Sequence, residues 1–178
     1  SGPSGAGKGT LVTRVRERRS NLGLTVSATT RAPRKGEVDG VNYFFLTREE
    51  FDRRVANGEF VEWAEVHGNC YGTLVSEVTS KLASGASLIL EIDVQGALQV
   101  KERFPEAVLI FIKPPSLEVL RERLVGRGTE TPETIELRMA NAADERALAD
   151  RYDDVVVNDD LDRATDELVR VLDMHERI

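Results

Sequence analysis

The sequence has 178 residues, 40% hydrophobic and 31% charged, and its 24 Lys and Arg against 31 Asp and Glu give a formal net charge of −7. This length suits one α/β domain with a buried core and is too short for two ordinary domains. No run approaches about eighteen consecutive apolar residues, which excludes a membrane span, and the acidic balance argues against broad binding to nucleic acid or anionic lipid.

Cysteine and histidine content bears on location and on metal binding. The single cysteine, Cys70, cannot form an internal disulfide, and the two histidines have no nearby Cys or His partners that would form a structural zinc site. No signal-peptide core or lipidation motif is present. We therefore expect a cytoplasmic protein without a membrane or nucleic-acid partner, in which any anionic ligand meets a local basic pocket.

Apolar β-branched runs alternate along the chain with segments of helical period, which is the pattern of a parallel sheet covered by helices. Strands are predicted over residues 24–28, 87–93, 108–113 and 154–158. Helices are predicted over residues 11–19, 94–104, 117–124, 132–152 and 161–176. The sequence thus predicts a doubly wound parallel sheet flanked by helices.

One region breaks this alternation near the middle of the chain. Short strands are predicted over 43–47 and 60–66, on either side of a helix over 48–57. Thr47 and Glu50 have the spacing of a capping box at the start of that helix. We therefore expect residues 36–72 to form a small mixed α/β insertion on the main sheet.

A second irregular stretch follows the predicted helix 117–124. Gly126 and Gly128 interrupt the helical pattern before Thr131 and Pro132 begin a new helix. This composition predicts a mobile lid over about residues 126–139. The core of the single domain would then comprise residues 1–35, 73–125 and 140–178.

A glycine-rich loop opens the chain. Its residues are Gly2, Pro3, Ser4, Gly5, Ala6, Gly7, Lys8, Gly9 and Thr10, with the spacing G-x-x-x-x-G-K. Glycines allow positive φ angles and let backbone N–H groups point at phosphate oxygens, and the following helix adds the positive end of its dipole. Lys8 adds a charge for the β- and γ-phosphates, so the loop predicts binding of ATP.

Two features of the loop depart from the usual pattern. Gly9 stands where a Ser or Thr usually contacts magnesium, so no direct metal ligand is assigned. Thr10, one position later, is the candidate for a contact to the phosphates or to the water shell of Mg²⁺ bound with ATP. The strand that should precede the loop is absent, and we interpret the sequence as an N-terminally incomplete version of a longer chain.

A phosphate loop leaves the acceptor undefined, and further segments of the chain bear on it. They are S-A-T-T-R-A-P-R (27–34), G-E-V-D-G-V-N-Y (36–43), F-V-E-W-A (60–64), G-N-C-Y-G-T (68–73), E-I-D-V-Q-G (91–96), G-R-G-T-E-T (126–131) and V-N-D-D-L (157–161). In their order, and over essentially the whole chain, these segments resemble the guanylate kinases. The resemblance implies Mg²⁺-dependent, in-line transfer of a phosphoryl group from ATP to GMP, giving ADP and GDP.

The GMP site is expected between residues 27 and 93. Arg31 and Arg34 lie three positions apart in an extended, proline-containing stretch, which suits two guanidinium groups that converge on one phosphate. By resemblance, Glu62 accepts from the two adjacent donors of guanine, which adenine lacks. The resemblance assigns GMP binding to Ser27, Arg31, Arg34, Tyr43, Glu62, Tyr71, Thr73, Glu91 and Asp93.

Phosphoryl transfer to GMP needs no general base, because the acceptor oxygen is already anionic, and catalysis reduces to alignment and charge neutralisation. The catalytic residues are therefore expected to be cationic, with three of them matching the lid-associated arginines of the family. They are Lys8, Arg34, Arg123, Arg127 and Arg138. By resemblance, Arg127 and Asn158 also lie near the adenine of ATP.

Two alternatives remain at this point. Guanylate-kinase-like modules that bind phosphopeptides without catalysis look similar across the fold, but they typically lack the intact phosphate loop that surrounds Lys8 here. The string G-A-G-K-G-T (5–10) resembles the adenylate kinases, but adenine would leave Glu62 unpaired. The sequence therefore favours a guanylate kinase over both.

Overall fold

The computed structural model describes residues 1–126, 128 and 130–176. Over these residues the protein is a mixed α/β structure with parallel sheets and seven α-helices. In chain order the elements are α1 (Lys8–Arg18), β1 (Leu22–Leu24), β2 (Ala28–Thr29), β3 (Phe44–Phe45), α2 (Arg48–Ala56), β4 (Phe60–Val66), β5 (Asn69–Leu74), α3 (Val75–Leu82), β6 (Ser87–Ile89), α4 (Val94–Arg103), β7 (Ile110–Lys113), α5 (Leu117–Gly126), α6 (Pro132–Ala147), a 3-10 turn (Ala149–Arg151), β8 (Asp154–Val157) and α7 (Leu161–Glu176).

These elements form two compact units. Unit 1 comprises Ser1–Arg18 and Glu106–Ile178, and unit 2 comprises Arg19–Pro105. Unit 1 contains the glycine-rich loop, and unit 2 contains the segments expected to bind GMP. Within the described ranges, no helix has the length and apolar character needed to cross a membrane.

Unit 1 is built on the parallel pair β7–β8, in which Ile110 lies opposite Asp154 and Lys113 opposite Val157. The backbone of Ser1 continues this sheet, because its amino group donates to Ile110 O at 2.8 Å and its carbonyl accepts from Ile112 N at 2.7 Å. Helices α1 and α7 pack together through their buried apolar faces. Helices α5 and α6 share a separate hydrophobic cluster of Leu120, Leu124, Ile135 and Ala142.

Unit 2 contains a parallel pair, β1–β6, and a four-stranded mixed sheet in the order β3-β2-β5-β4. Helix α2 covers one face of the mixed sheet, where Phe51 stacks on Phe60 with ring centroids 4.5 Å apart. Thr47 Oγ1 accepts from Glu50 N at 3.1 Å and caps this helix, as its sequence predicts. Strands β4 and β5 are joined by a tight turn in which His67 and Gly68 both have positive φ, the geometry of a two-residue hairpin.

One sequence prediction about the strands is wrong. The segment 24–28 is not one strand, because the chain leaves one sheet for the other within it: Thr25 N donates to Ile89 O, Val26 N to Glu77 Oε1, and Ser27 O accepts from Phe44 N. Parallel pairing among the described residues joins β1 to β6, β2 to β3 and β7 to β8.

The predicted strands 43–47 and 87–93 are shorter in the structure, at Phe44–Phe45 and Ser87–Ile89, and two elements were missed. Helices α2, α4, α5 and α7 begin at the predicted residues, and the predicted helix 132–152 ends at Ala147 and is followed by a 3-10 turn. Helix α3 and strand β5 were not anticipated. Strand β5 escapes pattern analysis because Gly72 and polar residues interrupt the alternation expected of a strand.

Candidate active site

The glycine-rich loop of unit 1 has the geometry of a phosphate-binding turn. Gly2, Gly5 and Gly7 all have positive φ, and α1 begins at Lys8 directly after them. The side chain of Lys8 folds back over the loop, where its Nζ donates to Gly2 O and, at 3.2 Å, to Pro3 O. A charged amine therefore lies beside the backbone turn and the first turn of a helix, both of which favour anions.

Asn158 holds the loop from the other side. It is 6% exposed, and its Nδ2 donates to Ala6 O at 2.8 Å. Arg123 Nη2 in turn donates to the carbonyl of Asn158 at 2.9 Å. A Cβ at Gly7 would lie 2.3 Å from Asn158 Nδ2, so the loop approaches this side chain as closely as only a glycine permits. The sequence predicts Arg123 among the catalytic cations and Asn158 near the adenine of ATP. In the structure both side chains donate to Ala6 O of the loop, Arg123 Nη1 at 3.5 Å and Asn158 Nδ2 at 2.8 Å.

Arg138 reaches the same loop from α6. Its Nη1 donates to Ser4 Oγ, and its Nε lies 3.2 Å from Glu130 Oε2 without hydrogen-bond geometry. Both side chains are largely buried, at 15% and 7% exposed. Arg127, the third arginine expected here, lies outside the described residues. The sequence analysis assigns no role to Glu130. The feature of the sequence that could have pointed to it is its position as an acidic residue between two segments that contain arginines.

In unit 2, the face of the mixed sheet opposite α2 carries the expected base-binding residues. A bulge between Phe60 and Glu62 lets Phe60 pack against α2 while Glu62 faces the other side. Thr73 lies opposite Glu62, and Tyr71, two residues before Thr73, shares its face. The bulge therefore places a carboxylate, a hydroxyl and a phenol on one surface.

Glu62 is nearly inaccessible, with 3% of its surface exposed. Its Oε1 accepts a hydrogen bond of 2.6 Å from Thr73 Oγ1. Burial, and to a lesser degree the charge of Asp93, raises the pKa of Glu62 to about 7, although the Thr73 hydrogen bond acts in the opposite direction. Asp93 itself caps α4 by accepting from Gly96 N at 3.0 Å.

A second group of residues surrounds Arg31. Its Nη1 and Nη2 donate to the two carboxylate oxygens of Glu37 at 3.0 and 2.9 Å, and its Cζ lies 5.3 Å from the centre of the Tyr43 ring. The rings of Tyr43 and Tyr71 are 6.2 Å apart. The hydrogen bond to Glu37 is the largest cause that raises the pKa of Arg31. Burial raises the pKa of the Tyr43 hydroxyl, and the charge of Glu91 adds to this effect.

The structure brings together some of the expected GMP residues and leaves others apart. Arg31, Tyr43 and Tyr71 form one group, and Glu62, Thr73 and Asp93 form another. Arg34 is exposed and is linked to Arg31 through Glu37, whose Oε2 accepts from Arg34 N at 2.7 Å. Ser27 contributes its carbonyl to the sheet. Glu37, which has no assigned role in the sequence analysis, could be found as the acidic residue that follows Arg31, Arg34 and Lys35.

No group of three or more His, Cys, Asp or Glu side chains in the described ranges could hold a metal ion. Magnesium that enters with ATP would take phosphate oxygens and water as its ligands. The groups around the glycine-rich loop include backbone groups, Ser4, the amide of Asn158 and cationic side chains. This surface suits the phosphates of a nucleotide better than a bare cation.

Comparison with known proteins identifies the family of the chain. The family model described as "Guanylate kinase" matches residues 1–175. Guanylate kinases of Halalkalibacterium halodurans and Gloeobacter violaceus are 54% and 56% identical over 172 residues, which cover 97% of this chain and 84% of each relative. The crystal structure of guanylate kinase from Anaplasma phagocytophilum is similar with a TM-score of 0.78 and 39% identity, covering 93% of this chain and 80% of that one. The chain belongs to the guanylate kinase family.

Proposed function

We propose that the protein transfers the γ-phosphoryl group of Mg-ATP to GMP, forming ADP and GDP. As a member of its family the chain is a nucleoside monophosphate kinase, a phosphotransferase. The observation that carries the choice of acceptor is the buried carboxylate of Glu62, held by Thr73 on the face of the mixed sheet opposite α2. The relatives named above are described as guanylate kinases, and they do not favour a catalytically silent binding module.

Guanine recognition by Glu62 follows from hydrogen-bond chemistry. The guanine edge presents two adjacent donors, N1–H and the exocyclic amine, and an ionised carboxylate presents two acceptors. Adenine has no such pair of donors, so it would leave a buried carboxylate without partners, at a cost of about 2–5 kcal/mol in discrimination. Thr73 and Asp93 complete this group, Thr73 by orienting Oε1 of Glu62 and Asp93 from the start of α4. Ser27 is proposed to add a further polar contact to the base.

The phosphate of GMP is assigned to the group around Arg31. The bidentate contact with Glu37 holds the Arg31 guanidinium near the Tyr43 ring, which leaves it oriented rather than free to rotate. Tyr43 and Tyr71 bring two hydroxyl donors to the same surface. Arg34, which is exposed, would join them only when the ligand is bound. Glu91, close enough to affect the pKa of Tyr43, is assigned to the same half of the site.

ATP is assigned to the glycine-rich loop. The positive φ angles of its glycines and the position of Lys8 support binding of the β- and γ-phosphates. Arg123 and Arg138 already contact the loop, and we propose that they offset the charge that develops on the transferred phosphoryl group. Arg127 is assigned the same role from the family pattern. Mg²⁺ enters with ATP, with Thr10 as the side chain proposed to contact its water shell.

The domain layout is proposed to follow the same division. Residues 36–72, with the mixed sheet and α2, would form the GMP-binding insertion, and residues 126–139 would form the lid. Thr131 caps α6 and Pro132 occupies its first turn, so the second half of this segment has a helical start of its own. The movement of either segment is a prediction that ligand-dependent hydrogen exchange would test.

A coupled assay of ADP release tests the proposed reaction. With Mg-ATP present, we expect ADP release that depends on GMP and is far slower with AMP, UMP or no acceptor. Lys8→Ala should abolish turnover while GMP still binds, because Lys8 serves the other nucleotide. Glu62→Gln should greatly lower kcat/KM with GMP. GMP-independent ADP release, or equal rates with GMP and AMP, would contradict the proposal.

A further inference from the structure

The first turn of α4 lies directly against the carboxylate of Glu62. Gly96 is the third residue of this helix, and its N–H donates to the capping carboxylate of Asp93. A Cβ built at Gly96 would lie 2.2 Å from Glu62 Oε2 and 3.0 Å from Glu62 Cδ. Heavy atoms that are not bonded do not approach this closely, so any side chain at residue 96 would have to displace the carboxylate.

Glu62 has little freedom to move out of the way. Its other oxygen is held by Thr73 Oγ1 at 2.6 Å, and the Thr73 side chain is itself completely buried. The strand and the helix are also tied together next to this contact. Gln99 of α4 accepts from Trp63 N at 3.2 Å and donates to Trp63 O at 2.7 Å, one residue after Glu62. Neither the carboxylate nor the backbone of β4 can retreat without breaking one of these hydrogen bonds.

Glycine is an unfavourable residue for this position on local grounds. Inside a helix it is less stable than alanine by about 0.5–1 kcal/mol, because it loses more backbone entropy. Glycine at position 96 therefore makes the helix less stable than alanine would. The contact with Glu62 explains why a residue without a side chain is nevertheless present there. The space left by the missing side chain is the space that Glu62 Oε2 occupies.

We propose that Gly96 is a positioning residue for guanine recognition: the absence of a side chain at residue 96 lets the Glu62 carboxylate, held by Thr73 through Oε1, lie against the start of α4 in the position from which it accepts from the base. This inference rests on the proposed role of Glu62. Gly96 does not touch GMP in this view and acts only through Glu62. It sets the position of the acceptor pair, and hence the preference for a base with two adjacent donors.

A double-mutant cycle tests this coupling. The variants are Gly96→Ala, Glu62→Ala and the double variant, with Glu102→Ala as an exposed control on the same helix. Gly96→Ala should raise KM for GMP on the order of tenfold, and it should leave KM for ATP unchanged. In the Glu62→Ala background, the same change should not raise KM for GMP further, because no carboxylate remains to be displaced.

Two further readouts separate positioning from a general structural effect. The preference for GMP over IMP, which lacks the exocyclic amine, should fall in Gly96→Ala and stay constant in Glu102→Ala. The melting temperature of the double variant should exceed that of Glu62→Ala, because alanine favours the helix once the clash is gone. This second result also shows whether the double variant is folded.

The outcomes distinguish failure of the inference from failure of the proposed function. If Glu62→Ala raises KM for GMP and Gly96→Ala does not, the positioning role is wrong and the role of Glu62 stands. If Gly96→Ala and Glu62→Ala have additive effects on KM for GMP, Gly96 acts independently of Glu62 and the inference is overturned. If Glu62→Ala leaves GMP kinetics unchanged, base recognition by Glu62 itself is wrong.

Discussion

Arg31 donates both terminal nitrogens of its guanidinium group to the carboxylate of Glu37, at 3.0 and 2.9 Å. Glu37 Oε2 also accepts from the backbone N–H of Arg34, so one carboxylate links the two arginines assigned to the phosphate of GMP. The hydrogen bond from Arg31 is the largest cause that lowers the pKa of Glu37, which keeps the carboxylate ionised. Glu37 is therefore placed to fix the orientation of Arg31 before GMP binds.

Glu37→Gln should raise KM for GMP by about tenfold, because a neutral amide cannot hold a guanidinium group in a bidentate, charge-assisted contact. KM for ATP should stay the same. Steady-state kinetics with each substrate varied in turn provide the measurement. Glu59→Gln is the matched control, since Glu59 pairs with Arg54 in the same unit at 3.2 Å. An equal rise of KM in both variants would show a loss of general stability instead.

The raised pKa of Glu62 predicts how the free energy of unfolding of the ligand-free protein changes with pH. Its pKa is about 7 in the folded protein, above the ordinary value of 4.5, so the folded state binds the proton more tightly than the unfolded state. The free energy of unfolding should therefore fall as pH rises from about 4.5 to about 7, by roughly 3 kcal/mol in total. Urea unfolding at a series of pH values measures this slope.

Glu62→Gln is the control for that slope, because glutamine does not titrate. The difference in free energy of unfolding between the two proteins should change across this pH range, and it should become constant above it. All other titrating groups are common to both proteins and cancel in the difference. A difference that stays flat from low to high pH would show that Glu62 has an ordinary pKa in the folded protein.

The raised pKa of Glu62 also predicts a pH dependence of GMP binding. Binding should strengthen as pH rises, whereas the stability of the ligand-free protein should fall. Guanine needs the ionised form of Glu62 as acceptor, so KM for GMP should rise as pH falls below about 7, approaching tenfold per pH unit. The second ionisation of the GMP phosphate, near pH 6, adds its own effect. Glu62→Gln retains the phosphate effect and lacks the carboxylate effect, so the ratio of the two KM values isolates Glu62. Calorimetry in buffers of different ionisation enthalpy should show proton release when GMP binds near pH 7.

Gly7→Ala should damage the phosphate loop. Gly7 has φ of +90°, and an added Cβ would lie 2.3 Å from Asn158 Nδ2, which holds the loop through Ala6 O. We expect KM for ATP to rise at least about tenfold and the free energy of unfolding to fall by about 1–3 kcal/mol. Gly85→Ala is the matched control, because Gly85 has φ of +75° but no atom within 4 Å of the added Cβ. It should lose stability without any change in KM for ATP.

Much of the local structure is predictable from the chain itself. The spacing of the glycine-rich loop, the capping residue Thr47 and the helical periods of α4 and α7 depend on residues a few positions apart, and the structure contains each of them. The predictions that failed concern the path of the chain between sheets. Residues 24–28 are apolar enough for a strand, but the partners of Thr25, Val26 and Ser27 come from three separate segments.

The sequence by itself determined the class of the protein, because motif spacing and residue order need no coordinates. The tertiary structure alone decided that Glu62 is buried, that its pKa is raised to about 7, and that Gly96 leaves room for its carboxylate. It also decided that Arg31 is bound to Glu37 while Arg34 stays exposed. Burial, the choice of hydrogen-bond partner and the ionisation of a carboxylate depend on atoms that are distant in the chain and adjacent only after folding.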